Sequence, residues 1–317
     1  MRIFQYDDKR AQGLGARALG VAVNDGEFVP LKAAAADLPG DLIALMKMPD
    51  GLNRAEAAAK ASAARQAFDG ITYLPLLSTP NALWALALNF KRHIDETGLT
   101  TSREFPHMFM RHARSFVGHM QPLVCPPPSV ARAYDYEGEL MVLIGKPGRH
   151  IPLNKAMEHV AGFTVCNEGS IREYQSQNRQ FGLGKNFEKS GSYGPFLITT
   201  DEVPNYQQSE LVTRLNGVVR QRTSMSDLLF NVEQTIAYLS KGTHLQPGDA
   251  ICMGTPGALP PAAGDTEGAD ISKQYGPIKV PGLVHMKPGD TVEVEITSVG
   301  ILRNPVIADE PDAYRAG

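Results

Sequence analysis

Apolar and polar residues alternate in TVEVEI (291–296), where Val292, Val294 and Ile296 share one face, as a half-buried strand requires. Most other apolar runs beyond residue 80 are short and are cut by Gly and Pro, so this larger part of the chain reads as mostly β. LNGVV (215–219) sets Asn216-Gly217, a hairpin turn pair, between two strand-like halves. Pro-Gly-Asp stands before an apolar run twice, at 247–249 ahead of AICMGTP and at 288–290 ahead of TVEVEI, and both are read as turns.

The first eighty residues follow a different pattern. MRIFQY, ARALGVAV and EFVPL are short strand-like pieces, the last preceded by the turn signal Asn24-Asp25-Gly26, and an Ala-rich stretch from Arg54 to Phe68 reads as helix. The expectation is a small α+β domain over residues 1–80 and a larger domain over 81–317, giving an α+β fold that is mostly β. Two helices are expected within the larger domain. In NKAMEHVAGF (154–163), Ala156, Met157, Val160 and Ala161 share a face. In NVEQTIAYLSKG (231–242), Asn231 caps, Gln234 completes a capping box and Gly242 closes the helix.

Composition narrows the setting. A chain of 317 residues with 43% hydrophobic content can bury one large core and a smaller second one. The net charge of -3 comes from 31 basic and 34 acidic residues without long runs of either sign, which argues against nucleic acid or a membrane surface and for a small-molecule partner. Cys125, Cys166 and Cys252 are odd in number and widely spaced, which suits reduced, buried thiols better than a disulfide framework or a CxxC metal site. The N-terminus is charged from residue 2, and no stretch approaches the ~20 apolar residues of a membrane span, so the expected location is cytoplasmic.

The candidate chemistry starts in YDYEGELMVLIG (134–145). As a strand it would put Asp135, Glu137 and Glu139 on one face, with successive Cα atoms about 6.6 Å apart, and Met141 and Leu143 continuing that face. An isolated ExE is commonly a solvated strand face, but here the face turns apolar at once. Carboxylates in a partly desolvated cleft need a positive partner or a shared proton, and a divalent cation supplies the former. Hard ions take oxygen ligands, so a third carboxylate is expected from elsewhere in the chain.

DYEGELMVLIGKPGRHI, AGFTVCNEGSIREYQ, GKNF, LNGVVRQ, PGDAICMGTP and KPGDTVEVEITSVGILRNPV, in this order over roughly residues 83–306, resemble the fumarylacetoacetate hydrolase family. The resemblance implies a catalytic domain built on a rolled mixed β-sheet, often with a small N-terminal domain, and a homodimer. It implies one Mg²⁺ or Mn²⁺ per chain held by Glu137, Glu139 and Glu168. Glu168 stands where the family's NDxSxRD motif most commonly has Asp, and Glu173 likewise replaces the second Asp.

From the same resemblance come His93 and Glu96 in ALNFKRHIDETG, a general base and its orienting carboxylate, which a spacing of three puts on one helix face. Lys185 of GKNF would face the bound substrate, and Gln175 and Thr255 would be polar substrate contacts. Arg111 falls where relatives often have FxK, either pairing with a substrate carboxylate or forming a structural ion pair. The implied reaction is metal-dependent hydrolysis of the C–C bond of a 2,4-dioxo acid of the acylpyruvate or fumarylpyruvate type. Its alternatives are 2-oxo acid decarboxylation of the oxaloacetate type, an isomerase or hydratase of aromatic catabolism, and a silent ligand-binding relative. The Gly/Pro-rich stretch 257–285 shows no readable pocket for the distal group.

Overall fold

The computed structural model describes residues 1–7, 17–91, 104–178, 180–259 and 284–310. MRIFQY and its two successors become the meander β1 (Arg2–Asp7), β2 (Arg17–Ala22) and β3 (Glu27–Pro30). The turn between β2 and β3 is fixed by Asn24, whose Oδ1 accepts from the backbone N–H of Gly26 (2.8 Å) and of Glu27 (2.9 Å). Helices α1 (Leu31–Ala34), α2 (Leu42–Lys47) and α3 (Gly51–Ala61) follow. The Ala-rich helix therefore ends at Ala61 rather than at Phe68, because the chain beyond it is taken up by tertiary contacts. Gln66–Ala67 forms β4 against β3, and the Phe68 ring sits 5.4 Å from Phe4 and 5.1 Å from Phe28. The short β5 (Thr72–Tyr73) pairs with β1.

The rest of the chain supplies β6 (Leu83–Ala87), β7 (His107–Arg111), β8 (Phe116–Val117), β9 (Leu123–Cys125), β10 (Tyr134–Asp135), β11 (Gly138–Ile144), β12 (Val160–Asn167) and β13 (Ser170–Ile171). Then come α4 (Arg172–Gln175), β14 (Gly191–Thr199), β15 (Glu210–Leu215), β16 (Val218–Ser224), α5 (Val232–Gly242), β17 (Ala250–Cys252), β18 (Thr291–Ile296) and β19 (Gly300–Ala308). Twelve strands form one mixed sheet in the order β4-β3-β2-β1-β14-β12-β11-β17-β6-β7, with β5 on β1 and β8 on β14. Pairs β17·β6 and β14·β8 are parallel. A five-stranded sheet, β16-β15-β18-β19-β9, lies beside it, and β10 and β13 pair by themselves. The mostly β, mixed-sheet fold is as the sequence suggests. The hydrogen-bonded ladder, however, runs across the boundary drawn near residue 80, because Arg2 and Ile3 of β1 pair with Ile198 and Leu197 of β14.

Strand β11 is the centre of the molecule, buried at every position. Met141 and Leu143 face a core shared with Phe4, Phe28, Leu42 and Leu45. Leu140, Val142 and Ile144 face the opposite core, with Leu211, Val294, Ile296 and Leu302 of the five-stranded sheet. Covered on both sides, such a strand must read as a continuous apolar run.

Local signals are realised closely where they are strong. Asn216 and Gly217, at φ +52° and +80°, join β15 to β16 in the left-handed geometry that favours this pair. The Asn231 capping box on α5 is complete, with Gln234 N–H donating to Asn231 Oδ1 (2.8 Å) and Asn231 N–H to Gln234 Oε1 (2.9 Å). Each Pro-Gly-Asp turn has its glycine at positive φ and its Asp carboxylate accepting a backbone N–H three residues back, Gln246 to Asp249 (2.8 Å) and Lys287 to Asp290 (2.9 Å). The helix expected over 154–163 is not formed. Leu153–His159 is a 3₁₀ segment, and Val160 and Ala161 begin β12, whose β-branched and aromatic side chains are used in pairing with β11 and β14. No helix among the described residues is long and apolar enough to cross a membrane.

Candidate metal centre

The acidic stretch is not one continuous strand. Tyr136 and Glu137 interrupt it between β10 and β11, because their neighbourhood finds other hydrogen-bond partners. Glu137 N–H donates to Asn167 Oδ1 and Gly138 N–H to Gln221 Oε1, each at 3.0 Å, while Glu168 N–H donates to the Glu137 carbonyl at 2.7 Å. The break splits the three acids. Asp135 turns to Arg172, whose Nε donates to Asp135 Oδ2 at 2.9 Å and whose Nη2 contacts the same oxygen. Glu137 and Glu139 instead converge with Glu168, from the end of β12, so that carboxylate oxygens of all three lie within 4.8 Å of one another.

These carboxylates are 4%, 0% and 1% exposed, so their charges must be met inside the protein. Lys185 Nζ bridges Glu137 Oε2 (2.6 Å) and Glu168 Oε2 (2.8 Å), and Arg172 Nη1 sits 2.6 Å from Glu137 Oε1, where Ser170 Oγ also donates (3.1 Å). Burial would raise the Glu137 pKa, but Lys185 and Arg172 outweigh it and hold this carboxyl well below its ordinary range. Glu139 has no such neighbour. Burial, and then the charge of Glu168, push it well above the ordinary value. Glu168 is also raised by burial, against the pull of Lys185 and Arg111.

Glu139 Oε2 accepts from Gly254 N–H (2.8 Å), but Glu139 Oε1 and Glu168 Oε1 have no hydrogen-bond partner among the described residues. Two unsatisfied carboxyl oxygens in a cage of three convergent acids are the donor set of a hard cation, so the residues present fit Mg²⁺ or Mn²⁺.

Of the other residues singled out by sequence, Lys185 joins the cage and Gln175 reaches it through Arg172. Gln175 lies on α4, and its Oε1 accepts from Arg172 Nη1 at 2.6 Å. Thr255 follows Gly254, which is at φ +91° and has no room for a side chain, since a Cβ there would lie 2.8 Å from the Asn89 Cβ. Thr255 Oγ1 accepts from Gln221 Nε2 at 2.9 Å.

Arg111 is buried beneath Glu168, 3.9 Å away. Its donors go to Ser115 Oγ (3.2 Å), Gly169 O (3.2 Å) and Ser190 Oγ (3.1 Å), and its guanidinium lies over Phe116. The ion pair named among its two sequence readings is present. Glu173 lies apart from the cage and accepts from Arg132 N–H (2.7 Å) and Ala133 N–H (3.1 Å), fastening the entry to β10. His93 and Glu96 lie outside the described residues. Cys166 and Cys252 are buried free thiols, in keeping with the packing role expected of them.

Sequence reasoning missed Arg172, Gln221, Asn167 and Ser170. For Arg172 a signal existed, an arginine inside the very motif that carries Glu168. Gln221 likewise closes the LNGVVRQ motif, but its partners belong to β11 and to the turn after β17, far apart in sequence, so nothing local assigned it a role.

An acidic cage with a lysine across it, set at the end of the central strand of a mixed sheet, has the donor set of a metal site. The chain belongs to the fumarylacetoacetate hydrolase family, since the family pattern described as Fumarylacetoacetate (FAA) hydrolase C-terminal matches residues 82–307. Members of the family act as hydrolases, isomerases and tautomerases. The human mitochondrial oxaloacetate tautomerase FAHD2B is 31% identical over 311 residues, 97% of this chain and 92% of that protein. Among solved structures, the fumarylacetoacetate hydrolase of Exiguobacterium antarcticum is 26% identical with a TM-score of 0.76, covering 97% of this chain and 99% of that one. The maleylpyruvate hydrolase of Sphingobium sp. SYK-6, solved with manganese(II) and pyruvate, shares the fold at 22% identity, with a TM-score of 0.75 over 98% of this chain and 100% of that one.

Proposed function

We propose that this protein is a Mg²⁺- or Mn²⁺-dependent enzyme of small 2-oxo acids and that it catalyses keto–enol exchange of an oxaloacetate-like substrate. The observation that carries the reading is the cage itself, with two buried carboxylate oxygens left unbonded. Its charge sets the ligand class. Asp135, Glu137 and Glu168 are in contact with three cations, Arg111, Arg172 and Lys185, and Glu139 completes the cluster without one, which leaves one negative charge unbalanced when all are ionised. A divalent cation reverses that sign, and an anionic acid then restores the balance.

Glu137, Glu139 and Glu168 would hold the cation, with Arg172 and Gly254 N–H orienting the first two. Bound there, a divalent cation supplies Lewis acidity toward the oxygens of a 2-oxo acid. Lys185 places an ammonium beside the cage, suited to stabilise negative charge that develops on the C2 oxygen as a proton leaves C3. Thr255 offers a hydroxyl to the acid. The full-length likeness to an oxaloacetate tautomerase favours exchange of that proton over cleavage.

A second reading is hydrolytic C–C cleavage of an acylpyruvate, favoured by the His93–Glu96 spacing and the likeness to the Exiguobacterium hydrolase. Following the decay of enol-oxaloacetate, with acetylpyruvate assayed in parallel, distinguishes them. Acceleration of enol decay that depends on Mn²⁺ and is abolished by EDTA is expected. Turnover of acetylpyruvate with no effect on the oxaloacetate enol would replace the first reading by the second. A homodimer, implied by the family resemblance, is part of the proposal and is tested by light scattering.

A further inference from the structure

Gln221 lies on β16 and is 3% exposed, and its side-chain hydrogen bonds go to two segments of the candidate centre. Its Oε1 accepts from Gly138 N–H at 3.0 Å, and Gly138 separates Glu137 from Glu139. Its Nε2 donates to Thr255 Oγ1 at 2.9 Å and to the Pro256 carbonyl at 2.8 Å. The chemistry of these partners fixes the amide orientation. A backbone N–H can only donate and a carbonyl can only accept, so the flipped amide would set donor against donor at Gly138 and acceptor against acceptor at Pro256.

With the amide fixed, Nε2 must donate to the Thr255 hydroxyl, which therefore spends a lone pair inward and keeps its hydrogen. The nearest protein acceptor for that hydrogen among the described residues is the Pro256 carbonyl, at 3.5 Å and already bonded to Gln221. The hydrogen is thus free for an oxygen of a ligand, and a group that only accepts, such as a carboxylate, is the match. The same turn is tied to the acidic strand a second time, through Gly254 N–H and Glu139 Oε2 at 2.8 Å.

We propose that Gln221 is a positioning residue that turns the Thr255 hydroxyl hydrogen toward the acid and holds it in register with the cation ligands. The inference rests on the function proposed above, and it specifies what that site selects: an acceptor-only oxygen at a set separation from the cation.

The test measures oxalate, a non-reacting chelating acid, by calorimetry on Mn²⁺-loaded protein, with Mn²⁺ affinity measured separately. In Gln221→Glu the carboxylate still accepts from Gly138 but also accepts from Thr255, which turns the hydroxyl hydrogen inward. Oxalate affinity should fall by about 10- to 100-fold, the scale of one hydrogen bond to a charged group, while Mn²⁺ affinity changes by less than about threefold. In a Thr255→Val background the same substitution should add less than about threefold, because the hydroxyl it acts through is gone. Gln221→Met, close in shape and uncharged, serves if the buried carboxylate impairs folding. It should weaken oxalate by less, and again only when Thr255 is present.

An equal loss in the Thr255→Val background, or a loss of Mn²⁺ affinity as large as that of oxalate, would overturn the inference. So would oxalate binding that Thr255→Val leaves unchanged, with the proposed function still standing. Wild-type protein that binds Mn²⁺ but no oxalate would overturn the acid-binding reading and this inference together.

Discussion

Glu137 and Glu139 are two positions apart on one stretch and live in opposite surroundings. Glu137 is bonded by Lys185, Arg172 and Ser170, whereas Glu139 has a single backbone N–H and no cation against it. Glu139 is thus the ligand whose charge is least compensated, and Glu139→Gln, which keeps the shape and the acceptor for Gly254, should cost at least about tenfold in Mn²⁺ affinity, ~1.4 kcal/mol. Calorimetry showing unchanged affinity would remove Glu139 from the ligand set. Lys185 makes the complementary case. Lys185→Met leaves Glu137 and Glu168 without their ammonium, and breaking a buried pair typically costs about 3–5 kcal/mol. The Tm in EDTA should fall, and Mn²⁺ should stabilise the variant by more than it stabilises the wild type. Equal Mn²⁺ increments in the two proteins would contradict this. The three glutamates were legible in sequence because a carboxylate beside an apolar run needs a partner. The cations that serve them were less so, since a long side chain crosses between elements and spacing along the chain does not encode where it ends.

The element that positions the ligands is β11, and its first residue has to be glycine. A Cβ on Gly138 would lie 2.1 Å from Thr213 Oγ1 and 3.0 Å from Val294 Cγ1, both on the five-stranded sheet. Gly138→Ala should push the two sheets apart at the base of the cage and cost about 1–3 kcal/mol, as overpacking does. Thr213→Ala added to it should recover part of that loss in urea unfolding, and a double variant no more stable than Gly138→Ala alone would show that the strain lies elsewhere. Elements with local signals were readable in sequence: the α5 capping box, the Asn216-Gly217 hairpin and the alternation in β18 need no distant partner to be recognised. The misread ones depend on distant partners. Val160 and Ala161 carry a helix-like spacing, but β11 and β14 flank them and decide in favour of a strand. Residues 62–68 have helix-forming composition, yet the aromatic cluster around Phe4 claims Phe68.

At the scale of the whole molecule, the N-terminal strands and the five-stranded sheet meet at His119. The ring lies edge-on to Tyr73 at 4.9 Å, and its Nδ1 accepts from Arg303 N–H of β19 at 3.1 Å. That bond requires a neutral ring, because protonation would put N–H against N–H. Burial, and secondarily the charge of Arg303, push the His119 pKa from 6.5 down to about 4. Since the folded value lies below the unfolded one, acid protonates the unfolded chain first. The contribution of the neutral ring is complete above pH 6.5 and is lost progressively as the pH falls from 6.5 toward 4, reaching about 2 kcal/mol at pH 5. No sequence signal marked this histidine, since Tyr73 and Arg303 are brought to it only by the closure of the fold. His119→Gln keeps an acceptor for Arg303 but does not titrate. The variant should be somewhat less stable than wild type at pH 7.5, yet lose about 2 kcal/mol less than wild type does between pH 7.5 and pH 5. Urea unfolding at the two pH values measures both quantities, and a loss equal to that of the wild type would show that His119 is not the group that makes this junction acid-sensitive.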